Sequence, residues 1–200
     1  MAQSKRSKHA NELPNSEAPP AASSRPAAHV SLRRFAGLFA ICALAGFALI
    51  QVPVVDRAVA TFTRGLVTTS AAGINAVGGD VVANYDVLQS RRNGFAVKMA
   101  NGCNGLHVLI VLWSSILAFP ASAKQKMKGL AAAVVVIQAI NLVRFISLFY
   151  LGQYAPAWFD FAHLYFWESM IMLDSLIIFW IWAQSVMRSG APGLPQSATT

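Results

Sequence analysis

The chain has 200 residues, 56% of them hydrophobic and only 12% charged, with a mean hydropathy of +0.49 and a formal net charge of +8. That composition excludes an ordinary soluble domain. It also gives the basic charge a meaning other than nucleic-acid binding: six of the sixteen basic residues fall in the first 34 positions and three more in "KQKMK", Lys124 to Lys128, beside apolar runs, and neither an aromatic-interleaved basic surface nor a zinc-finger spacing accompanies them.

Residues 1–34, rich in Pro, Ala and Ser and without periodicity, are predicted to be a disordered cytoplasmic tail. Ala58-Val59-Ala60 resembles a signal-peptidase site, but the apolar run before it, at about 20 residues, exceeds the usual 7–15 of a cleaved signal. Phe35 to Val55 therefore reads as an uncleaved first span. The next segment, 56–79, is only moderately apolar and contains Arg57, Arg64, Asn75 and four threonines. Arg64 at the bilayer centre would cost about 2.5–3.5 kcal/mol, and a crossing here would put Lys124, Lys126 and Lys128 outside. A helix lying at the outer interface, with its apolar face dipped into the membrane, is the expectation. "VVANYDVLQSRRNGFAVKMA" follows as a hairpin: Asn93-Gly94 is a turn signal, and Phe95, Val97 and Met99 alternate with Ala96, Lys98 and Ala100. Further spans are predicted at Leu106–Ala121, Leu130–Leu151 and Leu164–Met187, with a cytosolic loop at 121–129, an outer loop at 152–163 and a disordered cytoplasmic tail at 188–200. The fold class is an all-α membrane protein, a multi-pass helical bundle over 35–187 with about four transmembrane helices, an outer-interface helix and a small extracytoplasmic hairpin.

On this topology "NGCNGLH" sets Cys103 among small polar residues at the outer end of the second span, His163 opens the fourth, and Arg144 lies seven residues below the outer end of the third, about 10 Å deep. A thiol is a weak nucleophile until ionised, and nearby cations lower its pKa. Histidine takes and returns a proton near neutral pH, and a fixed guanidinium stabilises a tetrahedral oxyanion. Cys103, His163 and Arg144 together suit acyl transfer through a thioester. Glu168, at a depth similar to Arg144, is its candidate ion-pair partner. His107 lies one turn after Cys103 on the same helix face and is a rival base.

"NGCNGLH", "INLVRFISLFYLG" and "FDFAHLYFWES" resemble the exosortase/archaeosortase family of membrane cysteine transpeptidases, with wording most like the exosortase H subfamily, over roughly Phe62 to Ala183. The family's cysteine precedes a polar-Gly pair, as Cys103 precedes Asn104-Gly105. Its arginine lies three after an asparagine, as Arg144 follows Asn141, and its histidine opens a helix, as His163 does. The chain departs from the family pattern in having fewer spans than many relatives and in the presence of His107. The resemblance implies catalytic Cys103, Arg144 and His163 and no metal or organic cofactor; Asn104, Asn141, Glu168 and His107 are the candidate substrate-binding or supporting residues. Substrates would be exported proteins ending in a short motif, a hydrophobic helix and a basic cluster, cut at the outer face of a bacterial inner membrane.

Other classes have weaker support. His107 and His163 could hold a haem between spans. A transporter or non-catalytic assembly factor would favour broken helices with midplane polar groups, for which only Asp174 and Gln138 are candidates. A thiol–disulfide oxidoreductase lacks its Cys-x-x-Cys. Cys42, within "FAICALAGF", reads as a packing residue out of disulfide reach of Cys103.

Overall fold

The computed structural model describes residues 32–100 and 102–189; most of the expected N-terminal tail, and the C-terminal tail beyond Ser189, lie outside the described residues. Helix α1 spans Leu32–Leu49 and so takes in the last three residues of that tail. It stops short of Val55 because Pro53 cannot continue it: Val52 before the proline is extended, and Pro53 instead occupies the first turn of α2, Pro53–Ala76. None of α1 is buried, and Leu38, Ile41 and Leu44 face outward, as suits a helix in lipid.

The apolar face of α2 is used differently from the expectation. Thr63, Val67, Ser70, Ala71 and Ile74 form one stripe at helical spacing, and it packs on protein rather than on the bilayer. Its partner is a three-stranded antiparallel sheet in the order β1-β2-β3, with β1 at Val81–Asn84, β2 at Val87–Ser90 and β3 at Ala96–Lys98. The expected hairpin is thus its second half, with Leu88 opposite Val97. The additional strand turns back through Tyr85, whose φ of 55° makes a tight corner. Arg64 stays exposed and stacks over the Tyr85 ring at 4.8 Å.

Helix α3 runs from Leu106 to Ala118, only 13 residues and about 20 Å. Helix α4, Ala123–Tyr154, has 32 residues, about 48 Å against a bilayer core of about 30 Å. It therefore absorbs the lysines of the expected cytosolic loop and, at its far end, projects beyond the bundle. Ser122 starts it with a capping box, its hydroxyl accepting from the Gln125 N–H. The expected outer loop is also largely helical: a 3-10 turn (Pro156–Trp158), the single turn α5 (Phe159–Phe161), a π-helical turn (Ala162–Phe166) and α6 (Trp167–Arg188) follow one another. Three helical runs, Leu32–Leu49, Ala123–Tyr154 and Pro156–Arg188, are long and apolar enough to cross a membrane, and α3 is a shorter apolar helix beside them. The fold is a helical membrane bundle.

Two cores result. Val108, Leu109, Leu112, Ile116, Ala133, Ile137 and Ile171 join α3, α4 and α6. Val67, Ala71, Ile74, Val81, Leu88, Met99, Phe145 and Phe149 join α2 and the sheet to the projecting end of α4. Cys103 packs against the edge of the second core, at the seam between the bundle and the cap of α2 and the sheet.

Candidate active site

The turn carrying Cys103 is fixed before any chemistry is considered. Asn104 is buried, and its amide donates to Thr63 Oγ1 of α2 at 3.2 Å. Its side-chain oxygen accepts the Leu106 N–H at 3.2 Å, closing the start of α3, and its carbonyl accepts from Gln138 Nε2 of α4 at 3.2 Å. One asparagine thus ties the turn to three helices. Gly105 follows with φ of 76°, and a side chain there would come within 3.1 Å of Gln138 Nε2, so both its conformation and its neighbours require glycine.

Above this anchor, Cys103 Sγ lies 3.4 Å from His163 Nε2, within hydrogen-bonding range for sulfur. Burial pushes the half-buried Cys103 thiol above its ordinary range; Arg144 pulls it down and Glu168 pushes it up again. The cation acts in the expected direction, and burial outweighs it. A protonated sulfur facing an Nε2 that carries no hydrogen would donate its S–H there, and the histidine would then have to remove the proton.

Arg144 is 4% exposed and its guanidinium meets the half-exposed Glu168 carboxylate at 3.5 Å. The Arg144 Nε–H has no partner, so the group has donors to spare. The π-turn helps place these groups. Residues five apart in a regular α-helix would point roughly 140° away from each other, whereas an i→i+5 turn returns them to nearly one face. His163 and Glu168 accordingly line the same cavity.

That cavity, of about 390 Å³, is bounded by Cys103, His163, Arg144, Glu168 and His107, and by apolar side chains of α1, α3 and α6. His107 stacks on Phe47 of α1, ring centroids 5.7 Å apart. Asn141 does not reach it: it is buried below Gly105 with neither side-chain polar atom partnered. Of the residues expected from sequence, five therefore meet at one cavity, Asn104 holds its floor, and Asn141 lies behind it. Sequence reasoning missed the roles of Gln138 and Thr63. Gln138 had a visible signal, since 138, 141 and 144 place a polar residue at every third position of an apolar helix; Thr63 had none.

α1 and α6 approach each other at one end. Phe35 and Phe179 approach to 6.5 Å there, while Phe47 of α1 and Met172 of α6 both line the cavity near Cys103. The cavity thus occupies the gap between two lipid-facing helices.

No curated protein and no solved structure matches the chain. A family model, transmembrane exosortase (EpsH), matches residues 15–181, which takes in α1, α2, the sheet and every residue of the site, and begins well before the stretch in which the sequence motifs lie. The match supports a transpeptidase-like role at the membrane in general terms, and on it the chain belongs to the transmembrane exosortase family.

Proposed function

We propose that this protein is a membrane cysteine peptidase and transpeptidase acting on exported proteins that carry a carboxyl-terminal sorting signal. The observation that carries the reading is the 3.4 Å approach of Cys103 Sγ to His163 Nε2 in a cavity shared with a buried guanidinium. His163 takes the thiol proton as the sulfur attacks the scissile carbonyl carbon. Arg144 faces the oxyanion that develops. The protonated His163 then gives its proton to the leaving amine, and the acyl group remains on Cys103 as a thioester until water or an acceptor nucleophile releases it. Asn104 acts by holding the turn, and Glu168 by holding the guanidinium.

The gap between α1 and α6 supports a helix-anchored substrate. A hydrophobic helix entering from lipid beside these two would bring the peptide ahead of it to the height of Cys103. The site lies at the end of the bundle away from the lysines of α4, which supports an active site facing out of a bacterial inner membrane.

Co-expression with a sorting-signal substrate tests the reading. Cys103→Ala should insert and accumulate normally while processing stops, since losing one half-buried sulfur costs little stability. His163→Ala should be equally inactive and His107→Ala only impaired. Normal processing by Cys103→Ala would remove the thioacyl mechanism, and inactivity of His107→Ala alone would transfer the base to His107.

A further inference from the structure

A second, smaller cavity of about 100 Å³ adjoins the first. The two share Gly102 and His107. Gly102 has no side chain and a φ of 99°, and a Cβ built on it would sit 3.5 Å from the His107 ring, so the compartments meet at the Gly102 backbone and the His107 imidazole. The far wall of the small cavity contains Asp56 and Gln51, with Ile50 and Val59 as apolar neighbours. Asp56 is exposed, and its carboxylate makes no ion pair or hydrogen bond among the described residues.

If Cys103 forms a thioester, as proposed above, a second nucleophile has to reach its carbonyl carbon once the leaving amine has departed. We infer that the cavity between Asp56 and His107 is the acceptor site, and that it takes a primary ammonium group. The unpaired carboxylate attracts the cation, the Gln51 amide oxygen is a second acceptor, and the narrow volume admits a small amine head. The inference rests on the thioacyl reading but concerns the release step. His107 takes one proton from the ammonium. The nitrogen bonds to the acyl carbon, its second proton passes through His163 to the departing sulfur, and the carbon–sulfur bond breaks. The products are the amide, the Cys103 thiol and a protonated His107 that returns its proton to water. The two histidines thus divide the two proton transfers of the release step.

Two measurements on the full chain in detergent, in a Cys42→Ala background, judge the site separately from the cleavage reaction. The first compares the rates at which 2-aminoethyl methanethiosulfonate and its neutral ethyl analogue modify Cys103. The aminoethyl arm carries an ammonium a few bonds beyond the sulfur, so Asp56→Asn should lower the cationic-to-neutral ratio about three- to fivefold, the size of one solvent-accessible charge pair; an unchanged ratio overturns the site. The second adds ethylamine to a cleavage reaction and measures the share of released acyl product that carries the amine. That share is independent of the acylation rate; it should fall in Asp56→Asn and in His107→Gln, and an undiminished share overturns the acceptor role. Absence of any cleaved product in the parent protein would strike the thioacyl reading instead, and the modification ratio would still decide whether the cavity attracts an ammonium.

Discussion

A thiol raised by burial behaves differently from one ionised by its surroundings, and the difference is measurable at Cys103. With the pKa raised, the reactive thiolate is scarce at neutral pH and grows as pH climbs through the raised value. Alkylation by iodoacetamide, a neutral reagent, should therefore have a midpoint above that of an ordinary thiol. Because Glu168 pushes the pKa up and Arg144 pulls it down, Glu168→Gln should move the midpoint to lower pH and Arg144→Leu to higher pH. A midpoint below the ordinary thiol range would mean that the cation outweighs burial. Arg144 also admits a sharper test. Its side chain is nearly inaccessible while that of Glu168 is 54% exposed, so a merely structural pair would leave little penalty on the glutamate side. If the guanidinium were only a counter-ion, Arg144→Leu with Glu168→Leu should restore both stability and processing. An oxyanion donor makes the opposite forecast: the double variant folds and stays inactive. Arg144→Lys should insert yet lose roughly 10²–10³ in rate, since an ammonium on a flexible stem does not reproduce a fixed fork. Melting temperature and substrate turnover for both variants decide between the two roles.

At the level of elements, the turn from Gly102 to Gly105 is a joint between α2, α3 and α4, and two glycines of equal backbone strain separate its local from its catalytic cost. Gly105 and Gly94 have φ of 76° and 72°. Gly94 lies in open space, whereas a side chain at Gly105 meets Gln138 and Asn141. Each alanine should cost about 1–2 kcal/mol for the left-handed conformation, roughly 2–8 °C in melting temperature for a chain of this size. Only Gly105→Ala should also reduce processing, by displacing the Gln138 tether; equal turnover in the two variants would show that the tether is irrelevant to chemistry. The elements around this joint were unequally legible in the sequence. Long apolar runs marked α1, α4 and α6, and counting crossings brought Cys103, Arg144 and His163 to one height. The buried stripe of α2 was not legible, because Thr63, Ser70 and Ala71 do not read as an apolar face and Arg64 drew attention to the interface instead. The segment 152–163 was expected as a loop, yet it is largely helical, with Pro156 starting a turn where a missing N–H is tolerated. The state of the thiol depends on how much protein surrounds it, which no spacing of residues conveys.

The whole molecule is polarised. The Phe35–Phe179 contact and the hydrogen bond from Trp182 Nε1 to the Gln125 carbonyl at 3.3 Å gather the start of α1, the start of α4 and the last turns of α6 at one end. Arg33, Arg34, Lys124, Lys126, Lys128 and Arg188 flank the spans there, and four more basic residues precede α1 in the sequence. Five basic residues lie in the cap formed by α2 and the sheet, two of them in ion pairs, Arg91 with Asp80 and Lys98 with Asp86. By the positive-inside rule, ten against five, with Arg144 as the sixteenth, predicts that the lysine-rich end faces the cytoplasm and Cys103 the outside. A membrane-impermeant maleimide applied to intact spheroplasts tests this. Cys103 should label in a Cys42→Ala background, slowly because its thiolate is scarce. Asn93→Cys, added to Cys42→Ala and Cys103→Ala, provides a faster reporter in an exposed turn of the same cap. Lys126→Cys in that background should label only after permeabilisation. Labelling of Lys126→Cys in intact cells, with Asn93→Cys silent, would invert the protein and put the thiol on the side from which an exported substrate has already departed.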